Sequence, residues 1–157
     1  MIAIAGAHVV LADRVHRGGS VVIDAGRIAA IESRTIDSPG LDRVDHRGRY
    51  VVPGFIDVHV HGVCGHDTLD GGDAVAAIAR HLPRFGVTAF CPTTVACEPA
   101  ALADVLAQVA RLRRQPDLRA ARVLTAHLES NFISPAFNGA QPIDCLRRSE
   151  EHTSELQ

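Results

Sequence analysis

Short apolar runs alternate with turn residues over the first 50 positions, and this pattern predicts β-strands joined in hairpins. The predicted strands cover residues 7–11, 20–23 and 27–31. Gly18 and Gly19 mark the first turn, and Asp24, Ala25 and Gly26 mark the second. Three short strands are too few to bury a core by themselves. We therefore expect residues 1–50 to be part of a small β domain.

From residue 50 onward the pattern changes to strands that alternate with helices. The predicted strands are 51–60, 87–91 and 122–128; Asp73 and Pro99 mark the helix starts. Such alternation is typical of an α/β fold whose parallel strands are joined by helices. The carboxyl ends of all three strands then lie on one face, where such folds carry their sites.

Length limits how much of such a fold the chain can hold. The 157 residues are fewer than the roughly 250 of a complete (β/α)₈ barrel. About 95 residues, enough for three βα units, remain after the β segment and the final ten residues.

Composition excludes several classes of protein. Hydrophobic residues make up 46% of the chain, the formal net charge is -2 and the mean hydropathy is +0.09. These values exclude a basic nucleic-acid module and a disordered tail, and no apolar run is long enough to span a membrane. The four cysteines form no C-x-x-C pair and the N-terminus lacks a signal-peptide pattern, so we expect a reducing cytoplasm.

Candidate metal ligands fall at the ends of two predicted strands. A strand period of two puts Asp57, His59 and His61 on one face, with Val58 and Val60 packed toward helices on the other. Thr125, His127 and Glu129 share a face at the end of the third strand. Either motif alone has an ordinary interpretation, as satisfied histidines or a solvated carboxylate. Together, two histidines and a glutamate form a ligand set found in hydrolytic zinc sites.

Five short motifs follow one another along the second part of the chain: P-G-F-I-D-V-H-V-H-G at 53–62, G-V-T-A-F-C-P-T at 86–93, H-L-E at 127–129, and the F-I-S-P and G-A-Q-P that follow. Together they resemble the motifs of N-acetylglucosamine-6-phosphate deacetylases, a family of the amidohydrolase superfamily. The D-x-G-R-I-x-x-I pattern at 24–31 matches the small β domain of that family. The resemblance covers about residues 6–145.

The resemblance implies a site as well as a fold. Glu129 matches the principal metal ligand, and His59 and His61 match a pair that many members use for a second metal. Gln141, with Ala140 before it, falls where members contact the substrate. The implied cofactor is a divalent metal, zinc being the expected ion, and the implied catalytic aspartate lies beyond residue 157.

The same resemblance implies the architecture and the substrate. The fold is an incomplete (β/α)₈ barrel with three βα units over residues 51–147, preceded by part of a small β-sandwich domain over 1–50. The parent protein is expected to be a homo-oligomer that deacetylates N-acetylglucosamine 6-phosphate, and this fragment to be inactive. Ser130 and Asn131 replace the family's usual Gly-Pro, so a related N-acetyl amino sugar phosphate fits nearly as well.

Other interpretations remain open. Residues 148–157 resemble a translated sequencing-library adapter, so we expect a non-native tail there. Within the superfamily, a dihydroorotase or an adenine deaminase can use the same H-x-H strand. Outside enzymes, the chain could be a non-catalytic truncated remnant.

Overall fold

The computed structural model describes residues 1–129 and 131–148. These residues form two compact units, which divide between Pro53 and Gly54. Apart from Arg148, the predicted non-native tail lies outside the described residues, as does Ser130. No helix within the described ranges is both long and apolar enough to cross a bilayer.

The first unit is a five-stranded sheet. Its strands are β1 (Ile2–Val10), β2 (Val15–Asp24), β3 (Arg27–Glu32), β4 (Asp42–Asp45) and β5 (Tyr50–Val51). β2 lies antiparallel between β1 and β3, and β4 and β5 both run parallel to β1. Buried Ala7, Val9 and Val21 form its core. The three predicted strands are confirmed, and each is longer than predicted.

Two glycines that the sequence predicts to form a turn lie within a strand of this unit. Gly18 and Gly19 lie inside β2, so the turn predicted at them is wrong. Gly19 faces Ala7 where the register between the strands shifts, and a Cβ on Gly19 would lie 2.6 Å from the Glu32 carbonyl oxygen. Gly19 therefore permits close strand packing, whereas Gly18 supplies a positive φ of 73°. The second predicted turn is confirmed, with Ala25 and Gly26 both at positive φ.

The second unit alternates strands and helices around one central strand. Its elements are β6 (Phe55–Val60), β7 (Gly62–Val63), β8 (His66–Asp67), α1 (Ala74–His81), β9 (Val87–Thr94), α2 (Pro99–Arg114), β10 (Arg122–Val123) and β11 (His127–Leu128), with short 3₁₀ turns at Leu82–Phe85, Pro135–Phe137 and Ile143–Cys145. β6, β10 and β11 each pair parallel with β9. The predicted α/β class is confirmed. After β11, the described residues form two short 3₁₀ turns and no α-helix.

Two predicted strands are broken in the structure. The 51–60 strand is wrong as one element, because β5 belongs to the first sheet and β6 pairs with β9. Pro53 between them has no N–H to donate to a strand ladder. The third predicted strand consists of the two short pieces β10 and β11.

The core of the second unit lies between β9 and the two helices. Val75, Ile78 and Phe90 have no exposed surface, and Val105 and Val109 of α2 pack in the same cluster. Burying each such side chain contributes about 1.5–3 kcal/mol. This packing fixes one face of β9 against the helices and leaves its carboxyl end to carry polar groups.

The start of α1 is stabilised from the neighbouring helix. Asp73 occupies the predicted N-cap position but its side chain makes no capping hydrogen bond. Gln108 Oε1 of α2 instead accepts from the Val75 backbone N–H at 3.1 Å. Asp73 pairs with Arg111 at 2.7 Å, and this hydrogen bond lowers the pKa of Asp73. These contacts hold the two helices in register on the sheet.

Candidate metal centre

An irregularity in β6 sets the direction of the H-x-H side chains. Asp57 pairs with Phe90 and Val60 pairs with Pro92, so three steps along β6 span two steps along β9. One extra residue of this kind is a β-bulge, which redirects side chains and frees backbone groups from the ladder. The uninterrupted period of two that the sequence predicts is therefore wrong between Asp57 and Val60.

Three backbone groups of the bulged segment have side-chain partners. The His59 N–H donates to Asp57 Oδ1 at 3.1 Å, and the Val60 N–H donates to Thr93 Oγ1 at 2.9 Å. His127 Nδ1 lies 3.0 Å from the Val58 carbonyl oxygen. Because a carbonyl only accepts, His127 donates through a protonated Nδ1. Asp57 thus supports the histidine backbone, while the prediction that Val58 packs toward helices is wrong, because Val58 is 61% exposed.

The chain after His61 is anchored by a buried threonine. The Thr68 N–H donates to the His61 carbonyl at 2.7 Å, and the Thr68 hydroxyl donates to the Val60 carbonyl at 3.4 Å. Thr68 is fully buried. The turn through β7 and β8 therefore returns to hold the end of β6.

A second shift of register, between β10 and β11, brings the third predicted strand to the H-x-H side chains. Val123 pairs with Phe90 and His127 pairs with Thr93, so four steps of this segment span three steps of β9. Val123 can therefore lie in the apolar core while His127 contacts His59, with ring centroids 4.8 Å apart. An unbroken strand would put both odd-numbered residues on one face.

Three side chains converge at the carboxyl ends of these strands. Nε2 of His59 lies 2.9 Å from Nε2 of His61. Oε2 of Glu129 lies 3.3 Å from His59 Nε2 and 3.1 Å from His61 Nε2. The side chains keep 47%, 36% and 34% of their surface exposed, respectively for His59, His61 and Glu129, so a small molecule can reach them.

This donor set fits a cation. Two imidazole nitrogens and a carboxylate oxygen lie within 4.8 Å of one another, and such groups satisfy one another only through shared protons or a metal. Ligands about 2.1 Å from a tetrahedral ion lie about 3.4 Å apart, close to the observed separations. His59, His61 and Glu129 are therefore the residues that would hold a divalent metal.

The remaining predicted site residues lie beside this cluster. Gln141 is buried, with Nε2 2.6 Å from Glu129 Oε1. Ala140 is exposed in the turn before it. The side-chain amide of Asn131 donates to the carbonyls of Cys97 and Cys145, at 2.8 and 2.6 Å. Asn131, one of the two residues that replace the family's usual Gly-Pro, therefore connects the segments that contain Cys97 and Cys145. The substrate contacts assigned to Ala140 and Gln141 stay a prediction.

Two cavities flank the cluster. One of about 260 Å³ includes Glu129, Leu128, Phe132 and Arg147 in its lining. The other, of about 430 Å³, is lined in part by His59 and His61. A ligand in the first cavity would lie beside Glu129, and a ligand in the second would lie beside His59 and His61.

Several supporting residues were not assigned to the site from the sequence. Thr68, Thr93 and His127 all bond to the bulged segment. The available signals were weak: His127 in H-L-E, a Thr-Thr pair at the end of β9, and a threonine shortly after H-x-H. Only the bulges show which backbone groups need these partners.

Parallel strands carrying two histidines and a glutamate at their carboxyl ends are an arrangement found in metal-dependent hydrolases. More particularly, the chain resembles N-acetylglucosamine-6-phosphate deacetylases. It is 40% identical over 138 residues to that enzyme of Mus musculus, which covers 85% of this chain and 32% of the mouse protein. It is 32% identical over 146 residues to that of Bacillus subtilis (strain 168), covering 90% of this chain and 37% of the relative.

A solved structure matches the fold over nearly the whole chain. The N-acetylglucosamine-6-phosphate deacetylase from Pasteurella multocida superposes with a TM-score of 0.84 at 22% identity, covering 99% of this chain and 41% of that one. No family model matches the chain. The resemblance found in the motifs is confirmed: the chain is a homologue of these deacetylases. It spans about a third of the length of the curated relatives it matches.

Proposed function

We propose that the chain is part of a metal-dependent amidohydrolase that removes the acetyl group from N-acetylglucosamine 6-phosphate or a related N-acetyl amino sugar phosphate. The observation that carries the proposal is the convergence of His59, His61 and Glu129 at the ends of parallel strands. The 40% identity to a deacetylase of that name supports the choice of substrate.

The three side chains supply the negative charge and the lone pairs that hold a metal, with zinc as the proposed ion. When bound, the metal supplies Lewis-acid activation of water and of an amide carbonyl. His59 and His61 bind as neutral imidazoles, and Glu129 contributes the charge. The proton transfer to the leaving amine needs a further carboxylate, proposed to be an aspartate beyond residue 157.

We propose the finer architecture on the same basis. Residues 51–147 form the N-terminal portion of a (β/α)₈ barrel, with two βα units and a third strand, residues 1–50 form part of a small β-sandwich, and residues 148–157 are a non-native tail. The whole protein is proposed to be a cytoplasmic homo-oligomer, and the chain alone to be inactive for want of later barrel strands. Ala140 and Gln141 are proposed substrate contacts, because the exposed Ala140 leads directly to the residue beside Glu129.

A Zn²⁺ titration of the 157-residue chain tests the metal site. We expect binding that Glu129→Gln abolishes, because the amide keeps the shape of the side chain and removes its charge. Glu32→Gln, the same change in the first unit, is the matched control and should bind Zn²⁺ like the unaltered chain. Equal binding by the two variants would contradict the proposed site.

Acetate release tests the reaction. The complete protein that contains this chain should release acetate from N-acetylglucosamine 6-phosphate, and Glu129→Gln in that protein should lose both metal and activity. Zinc binding at Glu129 without acetate release from any N-acetyl amino sugar phosphate would leave a metal site but refute the deacetylase.

A further inference from the structure

We propose that Gln141 is a positioning residue that holds Glu129 with one carboxylate oxygen turned toward His59 and His61. This inference rests on the metal site of the proposed function and adds to it a residue that acts before any substrate arrives. It is carried by the contacts of the Gln141 side chain and by its burial.

The two oxygens of Glu129 have different partners. Oε1 accepts a hydrogen bond from Gln141 Nε2 at 2.6 Å. Oε2 faces the imidazole nitrogens of His59 and His61 at 3.3 and 3.1 Å. Rotation of the carboxylate would break the amide contact, so the hydrogen bond keeps Oε2 in the ligand position.

Gln141 is itself fixed. Its Oε1 accepts from the Ala96 backbone N–H at 2.6 Å, so the amide is oriented with its NH₂ group toward Glu129. The Gln141 backbone N–H donates to the Asn138 carbonyl at 3.0 Å, and its carbonyl accepts from Asn138 Nδ2 at 2.8 Å. Gln141 is buried, with 6% of its surface exposed, and both polar atoms of its side chain have a partner.

A neutral amide suits this position. The amide orients the Glu129 carboxylate and leaves its negative charge available to a dication. A lysine or arginine in the same position would neutralise that charge. Partners of metal ligands typically contribute about 10- to 100-fold to metal affinity. We therefore expect Gln141 to affect metal affinity through Glu129.

The chain contains a matched control. Gln108 is also buried, its Oε1 also accepts from a backbone N–H, that of Val75, and its Nε2 donates to Asp104 Oδ2 at 2.7 Å. Asp104 is not in the metal cluster. Gln108→Met therefore removes the same two kinds of hydrogen bond from a buried glutamine, away from the candidate ligands.

The experiment compares Zn²⁺ affinity and the visible spectrum of the Co²⁺-loaded full chain. Gln141→Met should weaken Zn²⁺ binding about 10- to 100-fold and change the Co²⁺ bands, because Glu129 can rotate. Gln141→Glu, measured at pH 8, keeps an acceptor for the Ala96 N–H but replaces the donor with a negatively charged oxygen. Because the added charge itself attracts a dication, the readout for this variant is the Co²⁺ spectrum, which should change because Glu129 loses its hydrogen bond. Gln108→Met should keep the affinity and spectrum of the unaltered chain.

Distinct outcomes overturn the inference. Wild-type affinity and spectrum in Gln141→Met would refute it while leaving the metal site intact. A changed Co²⁺ spectrum in Gln141→Met with an unchanged spectrum in Gln141→Glu would assign the effect to the Ala96 contact, which also refutes it. Equal loss in Gln108→Met would reduce the effect to general stability. If the unaltered chain binds no Zn²⁺ at all, the proposed metal site fails and the inference fails with it. If Gln141→Glu loses its native far-ultraviolet circular dichroism, Gln141→Met, which adds no charge, decides the question.

Discussion

The backbone N–H of Val60 donates to the hydroxyl of Thr93 across two strands, at 2.9 Å. The same hydroxyl donates to the Cys91 carbonyl at 3.1 Å, and Thr93 is 1% exposed. A side chain therefore replaces the backbone partner that the bulge removes from the ladder. The positions of His59 and His61 depend on this hydrogen bond between Val60 and Thr93, because the bulge between Asp57 and Val60 contains His59 and directly precedes His61.

Removing the Thr93 hydroxyl should destabilise the second unit. Thr93→Val keeps the shape and leaves the buried Val60 N–H without its acceptor, at a cost of about 1–3 kcal/mol. Urea denaturation measures the loss, and amide hydrogen exchange should show weaker protection at Val60. Thr94→Val, the same change at the next buried position, is the control. Equal free energies of unfolding for the two variants would contradict the assigned role of Thr93.

Gln108 should matter for folding but not for metal. Gln108→Met removes the acceptor for the Val75 N–H at the start of α1, so the free energy of unfolding should fall by about 1–3 kcal/mol. Gln115→Met, at the exposed end of α2, should change it by less than about 0.5 kcal/mol. A Gln108 variant as stable as the Gln115 variant would show that α1 does not need this contact.

The pair between Asp73 and Arg111 should show in a pH titration. The hydrogen bond from Arg111 lowers the pKa of Asp73. The pair therefore stabilises the folded protein fully at pH values above the ordinary pKa of an aspartate. This stabilisation is lost as the pH falls through the lowered folded value. Nuclear magnetic resonance titration of Asp73 should find its pKa raised in Arg111→Gln. Arg113→Gln, the same charge change two residues away, should leave it low, and an unchanged pKa in Arg111→Gln would refute the pair.

The sequence by itself determined the class of fold and the three candidate ligands. Alternation of strands and helices follows from local periodicity, which the packing of Ile78 of α1 in one cluster with Phe90 of β9 only reinforces. His59, His61 and Glu129 could be placed at strand ends because parallel strands joined by helices share one carboxyl face. Pro99 likewise predicted the start of α2 from its own geometry.

Only the tertiary structure decided how those ligands meet. Bulges in β6 and in the third strand depend on register against β9, a long-range property that short-range periodicity does not contain. The partners of the freed backbone groups, Thr93 and His127, are defined only once that register exists. Gln141 reaches Glu129 because the chain after β11 returns to the Ala96 loop, and hydrogen bonds between such distant segments form only in the folded protein.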